Sequence, residues 1–234
     1  MTKRRMVSSG SKATFSNRSG LIIQTLKRRI IGWEYPPDHR FTEEALCQEF
    51  GVSRSPIREA LRVLATNGFV KQMPNRGYAV RQVNLREVEE LYDLRLALEL
   101  HVVTYLAEHD PSNRVVDGLR ETWSAILREP ARKGEELAEL DTRFHESLAE
   151  AAGNAMLLNH LRGINERIFV FRMIDFEKRD RLESTCHQHL KILERIADGD
   201  SGGVRKAMQR NIEEGGNNVR SAVKEALAKA YALS

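Results

Sequence analysis

The segment that most restricts the fold is residues 42–69, where the sequence predicts two short amphipathic helices on either side of a tight turn. Thr42 stands in an N-cap position before two acidic residues, and Gly51 is placed to end the first helix. Ser53 is placed to cap the second helix, whose apolar residues recur at helical spacing. Two helices joined by a short turn that contains glycine are typical of a helix-turn-helix.

The flanking segments extend this unit on both sides. Upstream, four apolar residues at helical spacing predict a helix that ends at Tyr35-Pro36-Pro37-Asp38; they are Leu21, Ile22, Leu26 and Ile30. Downstream, residues 69–71 and 78–80 predict two short strands, joined by a turn that contains Pro74-Asn75-Arg76-Gly77. Three helices followed by a β-hairpin predict a winged helix-turn-helix over residues 19–83.

From Asn84 to the end, every periodic segment favours a helix. The first begins at a capping box formed by Asn84 and Glu87, and further helices are predicted at about 111–128, 134–151, 154–174, 177–198 and 203–231. Gly215-Gly216 is expected to weaken or kink the last helix. Residues 84–234 therefore predict an all-α antiparallel bundle of about six helices, which makes the chain mainly α.

Charge is divided unevenly between these two parts. Residues 1–83 contain 15 of the 37 Lys and Arg and only 6 of the 33 Asp and Glu, whereas the remainder is acidic. This asymmetry indicates a basic module that meets a polyanion, joined to an acidic module that does not. Residues 1–18 hold five basic residues and no acid, and they predict a disordered basic tail, either an arm that touches nucleic acid or a solvated end.

Cysteine content and hydropathy exclude several classes of protein. Two cysteines, Cys47 and Cys186, cannot form a disulfide framework. No apolar run approaches the ~18–20 residues of a membrane helix, and the basic, Ser-rich start lacks the apolar core of a signal peptide. We therefore expect a soluble, cytoplasmic protein with no membrane partner.

The stretch PPDHRFTEEALCQEFGVSRSPIREALRVLATNGFVKQMPNRGYAV resembles the DNA-binding domain of GntR-family bacterial transcription regulators, over roughly Leu21 to Val83. The helical part is similar to the ligand-sensing FCD domain of the FadR subfamily. LYDLRLALE at 91–99, DTRFHESLAEAAGN at 141–154 and HLKILERIADGD at 189–200 carry that second resemblance.

The candidate DNA-binding residues cluster at the start of the second helix of the helix-turn-helix. Ser53, Arg54, Ser55 and Arg58 lie there, opposite the apolar stripe, where a helix that enters the major groove presents its hydrogen-bonding side chains. The resemblance assigns Arg54 and Arg58 to base reading, and Arg40 to the same groove or an adjoining phosphate. It places the wing tip, Arg76-Gly77, in the minor groove. The alternative for any one arginine is a solvated surface charge.

The helical part contains a candidate metal site. Asp141 and His145 lie four residues apart on one predicted helix, so they converge, and His189 lies on another. A carboxylate with imidazoles suits a divalent transition ion such as Zn²⁺, Mn²⁺ or Ni²⁺. The resemblance implies a third histidine on the last helix, and this sequence has Asn211 there. Asn211 would then serve as a weaker ligand or hydrogen-bond the effector or a bound water. The alternative is that the pocket binds no metal and the histidines act as hydrogen-bonding groups.

Arg95 matches a family arginine near the ligand cavity, where it would clamp an effector carboxylate. Its alternative is an ion pair with Glu99, four residues along the same helix. Arg172 is a weaker candidate of the same kind.

The sequence therefore predicts a transcription regulator rather than an enzyme. As the resemblance implies, it would bind a palindromic operator as a homodimer and sense a small organic acid. One alternative is a metal-dependent hydrolase that uses Asp141, His145 and His189; the absence of an HExxH motif disfavours it. Another is a non-specific architectural DNA-binding protein.

Overall fold

A computed structural model of the chain describes residues 10–32, 34–74, 77–82, 84–129, 134–178 and 180–232. The chain divides into two compact units, Met1–Val83 and Asn84–Ser234. Over the described ranges it forms nine helices and one small three-stranded sheet, which confirms the predicted mainly-α fold.

The first unit is a winged helix-turn-helix, as predicted. Its elements are α1 (Gly10–Ile31), β1 (Arg40–Phe41), α2 (Glu43–Phe50), α3 (Arg54–Thr66), β2 (Val70–Met73) and β3 (Gly77–Val80). The predicted hairpin is β2 and β3. Strand β1 was not predicted: it pairs antiparallel with β3, so that the strand order is β1-β3-β2. Two residues are too few for an alternating pattern, and β1 becomes a strand only because β3 supplies its hydrogen-bonding partners.

Helix α1 begins within the segment for which the sequence predicts a disordered tail. It starts at Gly10, whereas the prediction for residues 1–18 is a tail; residues 1–9 lie outside the described residues. Once a helical segment is packed, adding turns costs little, because nucleation is the expensive step. Ile22, Leu26 and Ile30 are buried as expected, but Leu21 is 66% exposed, so its assignment to the apolar stripe was wrong.

Local signals in the sequence account for the ends of α2 and for the orientation of α3. The Thr42 hydroxyl accepts a hydrogen bond from the Ala45 amide at 3.2 Å, and Gly51 ends α2 in the left-handed conformation, with φ of 62°. The predicted apolar stripe of α3 has no exposed surface; it consists of Ile57, Ala60, Leu61 and Leu64. Burial of this stripe leaves the opposite face of α3 at the surface of the unit.

Gly77 is required by the sheet itself. Its φ is +78°, and an added Cβ would lie 2.5 Å from the carbonyl oxygen of Phe41 in β1. Two conditions thus favour glycine here, a left-handed backbone and a close approach of the neighbouring strand.

We expect Gly77→Ala to destabilise the DNA-binding unit by roughly 1–3 kcal/mol, because a side chain would strain the backbone and push β1 away from β3. Denaturant unfolding of the full chain would measure the loss. Gly20→Ala is the matched control: Gly20 lies in α1 with nothing within 4 Å of the added Cβ, so this change should stabilise by about 0.5–1 kcal/mol. Equal stabilities for the two variants would contradict the assignment.

Over its described residues, the second unit forms the six helices that the sequence predicts. They are α4 (Leu85–His109), α5 (Arg114–Arg128), α6 (Gly134–Ala151), α7 (Ala155–Phe176), α8 (Arg181–Ala197) and α9 (Ser201–Ala232). Asn84 caps α4 by accepting from the amides of Arg86 and Glu87. Helix α4 packs mainly on α9, α6 on α7, and α5 on α8. Within the described ranges, no helix combines the length and the apolar character that crossing a membrane requires.

Helix α9 continues through Gly215 and Gly216 without interruption. A Cβ on Gly216 would lie 3.1 Å from Cδ1 of Tyr92 in α4. The glycines therefore allow the Tyr92 ring to pack directly on the α9 backbone.

Candidate DNA-binding surface and buried polar site

The predicted DNA-binding residues within the described ranges lie on one unit, and most are exposed. Ser53, Arg54, Ser55 and Arg58 are exposed at the N-terminal end of α3, and Arg40 is exposed on β1. Ser53 occupies the N-cap position, but its side chain makes no capping hydrogen bond. Gly77 is half-buried at the start of β3, and Arg76 lies outside the described residues.

Arg58 has a partner that the sequence analysis did not identify. Its Nε donates to both carboxylate oxygens of Glu43 at 2.8 Å, while the Arg58 side chain remains 58% exposed. The contact uses Nε, and the two terminal nitrogens form a fork that matches O6 and N7 of guanine. Glu43 at the start of α2 thus binds Arg58 through Nε and leaves the two terminal nitrogens for other partners.

In the second unit, three candidate metal ligands meet in the interior. Helix α6 carries Asp141 and His145 one turn apart, and α8 carries His189; one ligand atom from each lies within 4.8 Å of the others. Nε2 of His189 is 3.1 Å from Oδ1 of Asp141, and Nε2 of His145 is 3.8 Å from the same oxygen. All three side chains are buried.

His189 is enclosed by aromatic rings. The Phe144 ring stacks on it at a centroid distance of 3.7 Å, and Trp123 meets it edge-on at 4.2 Å. Neither ring nitrogen makes a hydrogen bond in the described part of the chain, because the 3.1 Å approach of Nε2 to Asp141 lacks hydrogen-bond geometry. Burial, followed by the nearby charged groups, lowers the pKa of His189 well below its usual value. A neutral, buried imidazole with unused nitrogens fits a metal ligand, because such ligands must be deprotonated and buried polar atoms otherwise find partners.

Glu99 on α4 orients His145, a role that the sequence analysis missed. Its carboxylate contacts Nδ1 of His145 and accepts from Nε of Arg95 at 2.6 Å. Burial raises the pKa of Glu99, but the neighbouring His145 and Arg95 outweigh it and lower that pKa to about 2. Burial also lowers the pKa of His145. A neutral His145 therefore donates Nδ1–H to Glu99, which directs the Nε2 lone pair towards Asp141 and His189.

Arg172 on α7 pairs directly with Asp141. It is buried, its Nη2 contacts Oδ2 of Asp141, and its Nη1 donates to the Thr142 hydroxyl at 3.1 Å. Burial, with the charge of Arg95, lowers the pKa of Arg172 to about 9, so the guanidinium remains protonated at neutral pH. The sequence analysis named Arg172 as a candidate effector clamp, but it could not identify Asp141 as its partner, because Asp141 lies on another helix.

A small cavity adjoins these groups. Its walls include Arg95, Asp141, His145, Arg172 and Asn211, and its volume is about 20 Å³, enough for a water-sized occupant. Asn211 on α9 is 8% exposed and donates to Oε1 of Gln188 at 2.8 Å.

Arg95 forms the ion pair with Glu99 that the sequence analysis gave as the alternative to an effector clamp. Nη2 of Arg95 is nevertheless buried without a hydrogen-bond partner among the described residues.

The other histidines of the second unit lie at the surface. His101, His109, His160 and His187 are all exposed.

Both parts of the chain match known families. Residues 19–80 match the model of the bacterial regulatory proteins, gntR family, and residues 90–214 match the FCD domain. The Nta operon transcriptional regulator of Aminobacter aminovorans is 32% identical over 201 residues, which cover 83% of this chain and 93% of that protein. The gluconate operon transcriptional repressor of Bacillus licheniformis is 26% identical, covering 81% and 79%. A solved structure of Lar, which controls expression of the Listeria monocytogenes agr system, superposes with a TM-score of 0.65 over 93% of this chain and 98% of Lar, at 20% identity.

Proposed function

The chain belongs to the GntR family of bacterial transcription regulators and carries an FCD domain behind its winged helix-turn-helix, and we propose that it binds a palindromic operator as a homodimer and responds to a small organic acid. The observation that carries the proposal is the exposed, arginine-bearing N-terminal end of α3. In this role the protein acts on DNA in the cytoplasm and is not an enzyme.

In the proposed complex, α3 enters the major groove. Arg54 and Arg58 read base edges, and Ser53 and Ser55 bind at the helix N-terminus, where amide groups and the helix dipole favour phosphate. Arg40 contacts the same groove or a neighbouring phosphate, and the wing tip at Arg76-Gly77 reaches the minor groove. A two-fold dimer explains a palindromic site, because each half-site then meets the same surface.

The effector site is the buried polar cavity of the second unit. The unpaired Nη2 of Arg95 supports a carboxylate ligand, since a buried donor without a partner is costly. The relationship to a gluconate operon repressor is consistent with an organic acid. Asn211 would hydrogen-bond this effector or a bound water.

We also propose that Asp141, His145 and His189 hold a divalent transition ion, Zn²⁺, Mn²⁺ or Ni²⁺. The unused nitrogens of His189 and the orientation of His145 by Glu99 support this set of ligands. When bound, such an ion would supply positive charge and open coordination positions for a carboxylate. The hydrogen bond from Asn211 to Gln188 favours an outer role for Asn211 over direct ligation.

Calorimetric titration of chelator-stripped protein with Zn²⁺, Mn²⁺ and Ni²⁺ tests the site. Wild type should bind measurably, Asn211→His more tightly, and His189→Ala scarcely at all, because imidazole is a better donor than an amide to these ions. His187→Ala, which removes an exposed histidine from the same helix, is the control and should bind like wild type. Identical binding by wild type and His189→Ala would rule out the site.

The regulator proposal is tested by operator selection. Duplexes selected by the full chain from a random library should bind at least ~10³-fold more tightly than random duplex at ~150 mM salt. Equal affinity would instead support an architectural DNA-binding protein. Turnover of ester or phosphate substrates by metal-loaded protein would revive the hydrolase alternative.

A further inference from the structure

The carboxylate that a metal ion would need is already occupied by a cation. Arg172 contacts Oδ2 of Asp141, while the other oxygen of Asp141 lies 3.1 Å from Nε2 of His189. A divalent cation at one oxygen of this buried carboxylate would repel the guanidinium at the other, because the interior screens charge poorly. Metal binding at Asp141 therefore favours the release of Arg172 from Oδ2.

The charges around the cavity are balanced without a metal. Three arginines line it, and each pairs with one carboxylate: Arg172 with Asp141, Arg95 with Glu99 at 2.6 Å, and Arg181 with Asp175 at 2.8 Å. A divalent cation would add two positive charges to this balanced set. The described cavity walls offer no further carboxylate to compensate them, since their acidic residues, Asp141 and Asp175, are both paired. An anion from solution would have to neutralise the excess positive charge, because buried charges must be paired.

Arg172 is placed to meet that anion. Its side chain lines the same cavity as Arg95, whose Nη2 has no hydrogen-bond partner within the described ranges. In its present position the guanidinium is held by Thr142 and Asp141, and the cavity of about 20 Å³ is too small for an organic acid. Movement of Arg172 away from Asp141 would both open space and present a second guanidinium to a carboxylate.

We propose that Arg172 is an internal counter-ion that exchanges partners: it neutralises Asp141 when no metal is bound, and it binds the carboxylate of the effector when a metal takes Asp141. Metal and anion then bind cooperatively, and each raises the affinity for the other. The inference rests on the proposed metal and effector sites, and it assigns to Arg172 the coupling between them.

The test is calorimetric titration of the chelator-stripped full chain with Zn²⁺, with and without acetate, a carboxylate that chelates weakly. For wild type, acetate should tighten Zn²⁺ binding by ~5-fold or more, within the range of ordinary coupling between sites. Arg172→Gln should bind Zn²⁺ more tightly than wild type without acetate, and acetate should change its affinity less than ~2-fold. Arg181→Gln, which removes a cavity arginine paired with Asp175, is the matched control and should retain the acetate effect.

Thermal unfolding separates this role from a merely structural one. Without metal, Arg172→Gln should melt below wild type, because Asp141 loses its partner, and Zn²⁺ should raise its Tm more than it raises that of wild type. If Arg172→Gln does not fold without metal, Arg172→Lys keeps the positive charge and should retain the acetate effect.

Three results would overturn the proposal: an unchanged acetate effect in Arg172→Gln, loss of Zn²⁺ binding by folded Arg172→Gln, or no Zn²⁺ binding by wild type. Operator binding should be measured on the same preparations. If the Arg172 proposal fails but the protein is still a regulator, selective binding of operator DNA persists in each of these three cases.

Discussion

Residues 1–83 alone are expected to bind a full two-site operator about 10²–10⁴-fold more weakly than the whole chain. This range follows from the proposed dimer: when the second unit links two DNA-binding units, the second half-site is bound at a high effective concentration. The fragment corresponds to the compact unit of the structure that carries the α3 surface. Fluorescence anisotropy with both proteins, at one fixed salt concentration, would measure the difference.

A single half-site duplex is the control for this comparison. Fragment and whole chain should bind it with similar affinity, because only one DNA-binding unit is engaged. If the fragment bound the full operator as tightly as the whole chain, the second unit would not contribute a linked half-site, and the homodimer proposal would be wrong.

Arg58→Ala should remove much of the discrimination between operator and random DNA. The loss of a bidentate arginine–guanine pair is worth ~1–3 kcal/mol, or roughly 5- to 150-fold in operator affinity. The structure strengthens this expectation, because the bond from Nε to Glu43 leaves the guanidinium fork available and restricts its motion. Competition binding of labelled operator against random duplex would measure both affinities.

Arg62→Ala is the matched control, since Arg62 is also exposed on α3 but lies one turn further from its N-terminus. It should weaken operator and random duplex to a similar and small extent. Equal weakening of both duplexes by Arg58→Ala would reassign Arg58 to phosphate contact and refute direct base reading.

Elements specified by local signals could be predicted from the sequence. The Thr42 cap, the left-handed Gly51 and the buried stripe that begins at Ile57 depend on residues within one or two helical turns. The winged helix-turn-helix and the six-helix second unit follow from such signals repeated along the chain, because caps, turns and apolar periodicity agree with one another.

Features that depend on a distant segment could not be predicted in this way. Strand β1 exists because β3 pairs with it, and Gly77 must be glycine because Phe41 lies beside it. Considered only within its own helix, the Gly215-Gly216 pair leads to the prediction of a weakened or kinked helix. In the structure it accommodates the ring of Tyr92, more than a hundred residues earlier. Backbone pairing and side-chain packing between distant elements determine these features, and neither leaves a periodic pattern in either segment.

The buried site combines both kinds of information. The sequence determined that Asp141 and His145 share one face of a helix, because residues four apart lie one turn from each other. Only the tertiary structure decided that His189 joins them, that Glu99 orients His145, and that Arg172 pairs with Asp141. Helix packing brings these groups into a common interior, where each buried charge must find a partner, and its nearest partners lie on neighbouring helices rather than along the chain.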